Sequence, residues 1–240
     1  MSVKLFILGH PGSGKSTAYR QIKDSLEQHF PDWSIVRYDD YQILQIMFLY
    51  EKLFCAHHKD KQFSKTEHDG FDVLDFTVLD QALKSLENQV RQRYSPLKDE
   101  LIVIEFARDD YKHAFKQFST TFLKDSYFLF IEADIKTCIH RVKGRVTNPP
   151  TQDNHFVSED ILIKYYGKRS VIPNFKSDLL VEIDKKRVKT INSRGSLEAF
   201  NVKVEGYIKA ILDHAQALPL PPVKVPDPKV LTRLLMPVHR

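Results

Sequence analysis

Lys4-Leu-Phe-Ile-Leu8-Gly9-His10-Pro11-Gly12-Ser13-Gly14-Lys15-Ser16-Thr17 is the stretch on which the fold turns. Lys4 to Leu8 is a short apolar run bounded by glycine, the pattern of a buried strand. The run from Gly9 to Thr17 fits G-x-x-x-x-G-K-[ST], and a helical pattern from about Lys15 to Gln28 follows it. Glycines let the backbone curl so that successive N–H groups point inward. The helix N-terminus adds unpaired donors and a partial positive charge at the same place. Those groups complement the phosphates of a nucleoside triphosphate. On this reading Gly9, His10, Pro11, Gly12, Ser13, Gly14, Lys15, Ser16 and Thr17 hold the nucleotide. Lys15 reaches its β- and γ-phosphates, and the Ser16 hydroxyl ligates Mg²⁺.

Outward from this loop, short apolar runs alternate with segments of helical period, the signature of β-α units around a parallel sheet. Ser34 to Arg37 reads as a second strand. Leu101 to Glu105 and Tyr127 to Glu132 read as central strands, nearly continuous in apolar residues. Leu179 to Ile183 and Val188 to Ile191 are later strand candidates. Between strands two and three, Ile43, Leu44, Met47 and Phe48, and then Val73, Phe76, Leu79, Leu83, Leu86 and Val90, recur at helical spacing, which predicts two inserted helices. Further helices are expected over Tyr111 to Leu123, from Ile135 into a basic segment, and over Ser196 to Leu212, where Ser196 is placed to cap. The expectation is therefore an α/β P-loop NTPase fold of three α/β/α layers with a parallel sheet. Residues 1–218 form the domain, with a helical insert at 41–94 and a lid at 141–158. Prolines crowd the chain beyond Leu218, so 219–240 reads as a proline-rich basic tail.

Composition narrows the class. The chain has 240 residues, 42% hydrophobic and 28% charged, enough for a substantial core and unlike disordered or disulfide-built chains. Two cysteines, Cys55 and Cys138, cannot form a zinc cluster and read as reduced packing residues of a cytoplasmic protein. No apolar stretch approaches the ~20 residues of a membrane helix, so no membrane partner is expected. The net charge is +5, and the segment from Arg141 to Arg194 holds twelve Lys or Arg against six Asp or Glu. A basic segment in an otherwise balanced chain suits a lid that handles phosphate.

The second strand ends in Asp39-Asp40-Tyr41. Carboxylates at the C-terminal edge of a parallel sheet stand where ligands bind. One of them can accept the proton of an incoming hydroxyl, and either can cap the following helix. Asp39 is the preferred base, with Asp40 as cap or orienter on the substrate side.

The phosphate loop followed by Asp-Asp-Tyr resembles the P-loop kinases that include the kinase domain of bacteriophage polynucleotide kinase, the zeta-toxin kinases and the nucleoside monophosphate kinases. The resemblance is specific over residues 3 to 47 and generic beyond. It implies an ATP·Mg²⁺-dependent phosphotransferase in which Asp39 is the general base. Where the phage family has an arginine that contacts substrate phosphate, this chain has Gln42, which leaves a polynucleotide acceptor open. The resemblance also implies that Glu105 holds Mg²⁺ through water at a Walker-B-like position and that Arg108 orients the acceptor. Arg141 and Arg145, four apart on one helix, become lid arginines that close over the triphosphate. The loop containing Asn192 and Gly195 touches the adenine ring in such relatives. The insert is where these kinases bind the acceptor; here it offers Lys52, His57, His58, Lys59 and Lys61 without a recognisable code.

Two functions remain in view. One is a kinase acting on a hydroxyl or phosphate of a nucleotide, nucleic acid end or small metabolite. The other is a nucleotide-dependent switch acting on a partner protein. An Asn-Lys-x-Asp guanine motif is missing from the sequence.

Overall fold

The computed structural model describes residues 1–55, 60–95, 98–145, 153–167 and 172–217. In chain order these form β1 (Ser2–Leu8), α1 (Lys15–His29), β2 (Ser34–Asp39), α2 (Asp40–Phe54), β3 (Phe63–Lys65), β4 (Phe71–Val73), α3 (Thr77–Arg93) and β5 (Glu100–Phe106). There follow α4 (Tyr111–Phe115), α5 (Thr120–Lys124), β6 (Ser126–Glu132), α6 (Ile135–Arg145), α7 (Glu159–Lys164), α8 (Phe175–Leu179), β7 (Val188–Asn192) and α9 (Leu197–Gln216).

The five long strands make one parallel sheet in the order β2-β5-β1-β6-β7. Side chains of a strand alternate between faces, and both faces here are apolar, as a doubly covered parallel sheet requires. Phe6, Leu8, Ile102, Ile104, Phe128 and Phe130 face one core with α2 to α5 and α8. Leu5, Ile7, Leu101, Val103, Leu129 and Ile131 face the other, beneath α1 and α9. The result is the expected three-layer α/β/α arrangement. No described helix is long and apolar enough to cross a membrane.

Sheet register positions the site. Asp39 pairs with Glu105 across β2 and β5, and Glu105 pairs with Ile7 of β1. The three strands therefore end together, and Gly9 opens the phosphate loop one residue past the register of Phe106 with Leu8. The order in which strands are added changes side around β1, the switch point outside which ligands bind in such sheets.

Three local expectations change. Leu179 to Ile183 is not a strand: Leu179 closes α8 and Leu180 takes a left-handed φ of 55°. Its apolar residues serve the core instead, through Leu179 and Val181. The expected helix from Tyr111 to Leu123 is two short ones, because the Ser119 side chain accepts the Phe122 N–H and starts α5 afresh. The insert holds α2 and α3 as expected, with an additional antiparallel hairpin of β3 and β4 between them. The tail at 219–240, lid residues 146–152 and the His57-His58-Lys59 cluster lie outside the described residues.

Candidate active site

The phosphate loop takes its shape from what it packs against. Gly12 has φ +80°, and a Cβ there would stand 2.5 Å from the Cys138 carbonyl oxygen of α6. Glycine alone tolerates both the conformation and the approach. Gly14 precedes α1 in a left-handed conformation without a side-chain cap, so the helix's first N–H groups face the loop's mouth. The Gly9 N–H donates to the Tyr111 hydroxyl at 2.7 Å. Tyr111 is wholly buried, and burial raises its phenol pKa. Sequence reading missed this anchor, which reaches the loop from over 100 residues away.

Lys15 Nζ donates to the Gly9 and His10 carbonyls at 3.0 and 3.2 Å and lies 3.9 Å from Glu105 Oε1. Burial pulls its pKa down while Glu105 pulls it back up. His10 is pushed down to about 4 by burial and then by Lys15, so its ring is neutral at pH 7 where it meets Tyr166.

Asp39 and Asp40 divide their labour differently from expectation. The cap is Asp39 itself, whose side chain accepts the Gln42 N–H at 3.1 Å, while Asp40 is the first residue of α2. Asp39 is 5% exposed, and its carboxyl is raised to about 7. Burial is the main cause; the Gln42 N–H opposes it, and Asp40 and Glu105 add repulsion.

Asp40 pairs with Arg108 Nη1 at 2.5 Å. The same Nη1 donates to the Ala107 carbonyl, and Nη2 donates to the Leu79 carbonyl at 2.8 Å. Arg108 is 4% exposed, and this set ties the end of β5 to α2 and α3. Removing one partner of a buried pair leaves the other charge uncompensated. Arg108→Ala is therefore expected to destabilise the fold by about 3–5 kcal/mol, read as a lower denaturant midpoint.

Arg37 is the largest omission from the sequence reading. It stands two residues before Asp39, on the same face of β2. Its side chain is 8% exposed and lies 2.7 Å from Glu105 Oε2, 2.7 Å from Asp153 Oδ1 and 4.0 Å from Asp39 Oδ2. An arginine inside an otherwise apolar strand was the available clue. Asp153 also accepts from the Ser16 hydroxyl and lies 3.5 Å from Arg20. Burial works against its charge, but Arg37 holds the carboxyl below its usual range.

The two lid arginines have different surroundings. Arg141 Nη1 donates to the Gly12 and Ser13 carbonyls and to Ser193 Oγ, and Nη2 donates to the Ser193 carbonyl. It binds the outside of the phosphate loop to the turn after β7. Arg145, at the end of α6, has a buried Nε without a hydrogen-bond partner among the described residues. Burial lowers its pKa while Glu105 and Asp153 oppose the shift.

Two clefts meet at the loop, sharing Gly12, Ser16 and Arg145. One includes Lys15, Asp39, Glu105 and Arg108 and is walled by α2, the hairpin and α7. The other is lined by Thr17, Arg20, Arg141, Ser193 and Gly195. Gly195 thus lies beside the phosphate loop. Asn192 instead lines a third depression with Gly9, His10 and Asp134, its Oδ1 accepting the Arg194 N–H.

The donor set suits Mg²⁺, a hard cation that keeps several waters and takes few carboxylates. Ser16 Oγ, Asp153 and Glu105 are oxygen donors around one corner. Glu105 Oε2 is buried without an aligned hydrogen bond, although Arg37 is close. Among the described residues no three His, Cys, Asp or Glu form a self-sufficient metal cluster.

No protein-family model matches the sequence. No curated protein matches it either. Solved structures do. Kti12 of Chaetomium thermophilum, in complex with ADP-AlF3, superposes with a TM-score of 0.54 at 16% identity, over 87% of this chain and 98% of that one. APS kinase CysC of Mycobacterium tuberculosis, in complex with AMPPNP and APS, gives 0.45 at 12% identity, over 87% and 98%. Shikimate kinase of Acinetobacter baumannii, in complex with shikimate, gives 0.45 at 14% identity, over 89% and 95%. The likeness to Kti12 is one of fold: a parallel sheet between helical layers, of the P-loop α/β type.

Proposed function

We propose that this chain is a P-loop kinase that binds ATP with Mg²⁺ and transfers the γ-phosphoryl group to a hydroxyl or phosphate of a small acceptor. The observation that carries this reading is the convergence of Lys15, Asp39 and Glu105 on one cleft, with Asp39 and Glu105 in register across β2 and β5. The triphosphate lies in the loop, its adenosine toward the cleft of Arg141 and Gly195. Lys15 turns from the Gly9 and His10 carbonyls to the β- and γ-phosphates. Ser16 and, through water, Glu105 would hold Mg²⁺, which would supply charge neutralisation at the phosphates. Asp39 takes the acceptor proton, a task for which a carboxyl near 7 is well matched. Arg141 holds the loop against the turn of Ser193, and Arg145 reaches the group in transfer. Asp40 and Arg108 act on the acceptor side by fixing the β5 and α2 ends around Asp39.

A screen for labelled γ-phosphate transfer to nucleosides, nucleotides, oligonucleotide ends and sugars tests this reading. Transfer by the wild type and loss of both ATP binding and transfer in Lys15→Ala are expected. ATP binding without transfer to any acceptor would point instead to a nucleotide-dependent switch.

A further inference from the structure

We infer that the acceptor is a neutral, hydroxyl-bearing molecule with a flat ring, of the nucleoside class, and not a phosphomonoester; this rests on the kinase reading above. Away from the phosphate loop, the walls of the acceptor cleft include Tyr41, Phe71, Phe76, Phe156, Tyr165 and Tyr166. Two groups of these rings lie in parallel, while Tyr166 stands edge-on to Tyr165 at 86°. Tyr41 stacks on His155 at 4.0 Å and 14° and faces Phe71 at 5.7 Å and 10°. Phe76 stacks on Tyr165 at 4.6 Å and 13°. Parallel faces extend naturally to another flat ring, and stacking of this kind tolerates any base.

Charge in the cleft argues in the same direction. Its described lining carries the carboxylates Asp39, Asp40, Asp72 and Glu105 against Lys15, Arg108 and Arg145. Lys15 and Arg145 belong to the donor side. Arg108 is committed to Asp40 and to the Ala107 and Leu79 carbonyls. With Asp40 matched by Arg108, and Glu105 by Arg37 and Lys15, an acceptor phosphate would meet Asp39 and Asp72 with no uncommitted cation in the cleft's described acceptor-side lining. Carboxyl oxygens accept hydrogen bonds, so Asp39 and Asp72 suit the hydroxyls of a sugar.

In the transfer the acceptor hydroxyl oxygen forms a bond to Pγ. The bond from Pγ to the β–γ bridging oxygen breaks, its electron pair leaving on ADP, and the hydroxyl proton passes to Asp39.

The test uses the full chain, Mg²⁺ and ATP labelled in the γ-phosphate. The acceptor panel comprises the common nucleosides, their 5′-monophosphates, a 5′-hydroxyl oligonucleotide, hexoses and choline. At least one nucleoside is expected to become a labelled monophosphate, with kcat/KM at least about 100-fold above that of its monophosphate, which brings uncompensated charge. Phe76→Ala, at a half-exposed position, is expected to raise the nucleoside KM by about tenfold or more, with the change confined to that constant. Preferential transfer to a monophosphate, the oligonucleotide, a hexose or choline overturns this inference while upholding the kinase. ATP bound with no transfer to any member overturns the kinase reading and this inference with it. An unchanged nucleoside KM in Phe76→Ala overturns the stacking site even if nucleosides are phosphorylated.

Discussion

Arg145→Ala is expected to slow phosphoryl transfer by about 10³–10⁵-fold while leaving ATP affinity within a few-fold of wild type. An arginine that meets the transferring group stabilises charge developing in the transition state, and factors of that size follow its loss. Arg145 is the lid arginine common to both clefts, and its buried Nε has no hydrogen-bond partner among the described residues. Its guanidinium stays charged despite burial. Arg141 provides the contrast. All four of its hydrogen bonds run to the phosphate loop and Ser193, so Arg141→Ala is expected to act chiefly on the KM for ATP. Single-turnover transfer together with calorimetry of ATP binding separates the two variants. An Arg145→Ala enzyme with near-normal turnover would remove Arg145 from the reaction.

Asp39→Asn is the second large effect, a loss of about 10²–10⁴ in kcat with ATP binding retained, as removal of a general base predicts. The pH profile identifies the group. With its carboxyl near 7, wild-type turnover should rise about tenfold per pH unit below 7 and level off above it. The variant should lose that limb. Stability moves in the opposite sense. Between the ordinary carboxyl value of 3.8 and about 7, the folded state holds a proton that the unfolded chain has released. Fold stability therefore falls as pH rises through this window, and the cost is fully present above 7. At one pKa unit per 1.36 kcal/mol, the cost at pH 8 is on the order of 4 kcal/mol. Asparagine caps a helix as well as aspartate does and carries no charge. Thermal unfolding should therefore show Asp39→Asn more stable than wild type at pH 8 and converging with it near pH 4. An equal difference at both values would mean that the carboxyl is not buried as a base.

The phosphate loop was legible because its information is contiguous: strand, glycines, lysine and helix lie within fourteen residues. Asp39 and Glu105 were legible for a related reason, as acids closing apolar strands. Their pairing across β2 and β5 was not, since register is set between segments more than 60 residues apart. Arg37 and Tyr111 escaped for the same cause, each deriving its role from distant partners. Asp40 and Arg108 were singled out as substrate ligands, but the geometry joins them to each other. The β3–β4 hairpin has strands of three residues, too short for alternation to register. Leu179 to Ile183 misled because a buried apolar run serves a core equally well without joining a sheet.

The close approach of Gly12 to α6 makes the two positions unequal in what substitutions they accept. The helix contributes a main-chain carbonyl, so any residue at 138 that fits the core would preserve that touch, whereas every side chain at 12 acts as a wedge. Because a neighbouring helix already moulds the cradle, capturing a triphosphate draws little on the ordering of flexible chain, and more of the gross attraction is left as affinity.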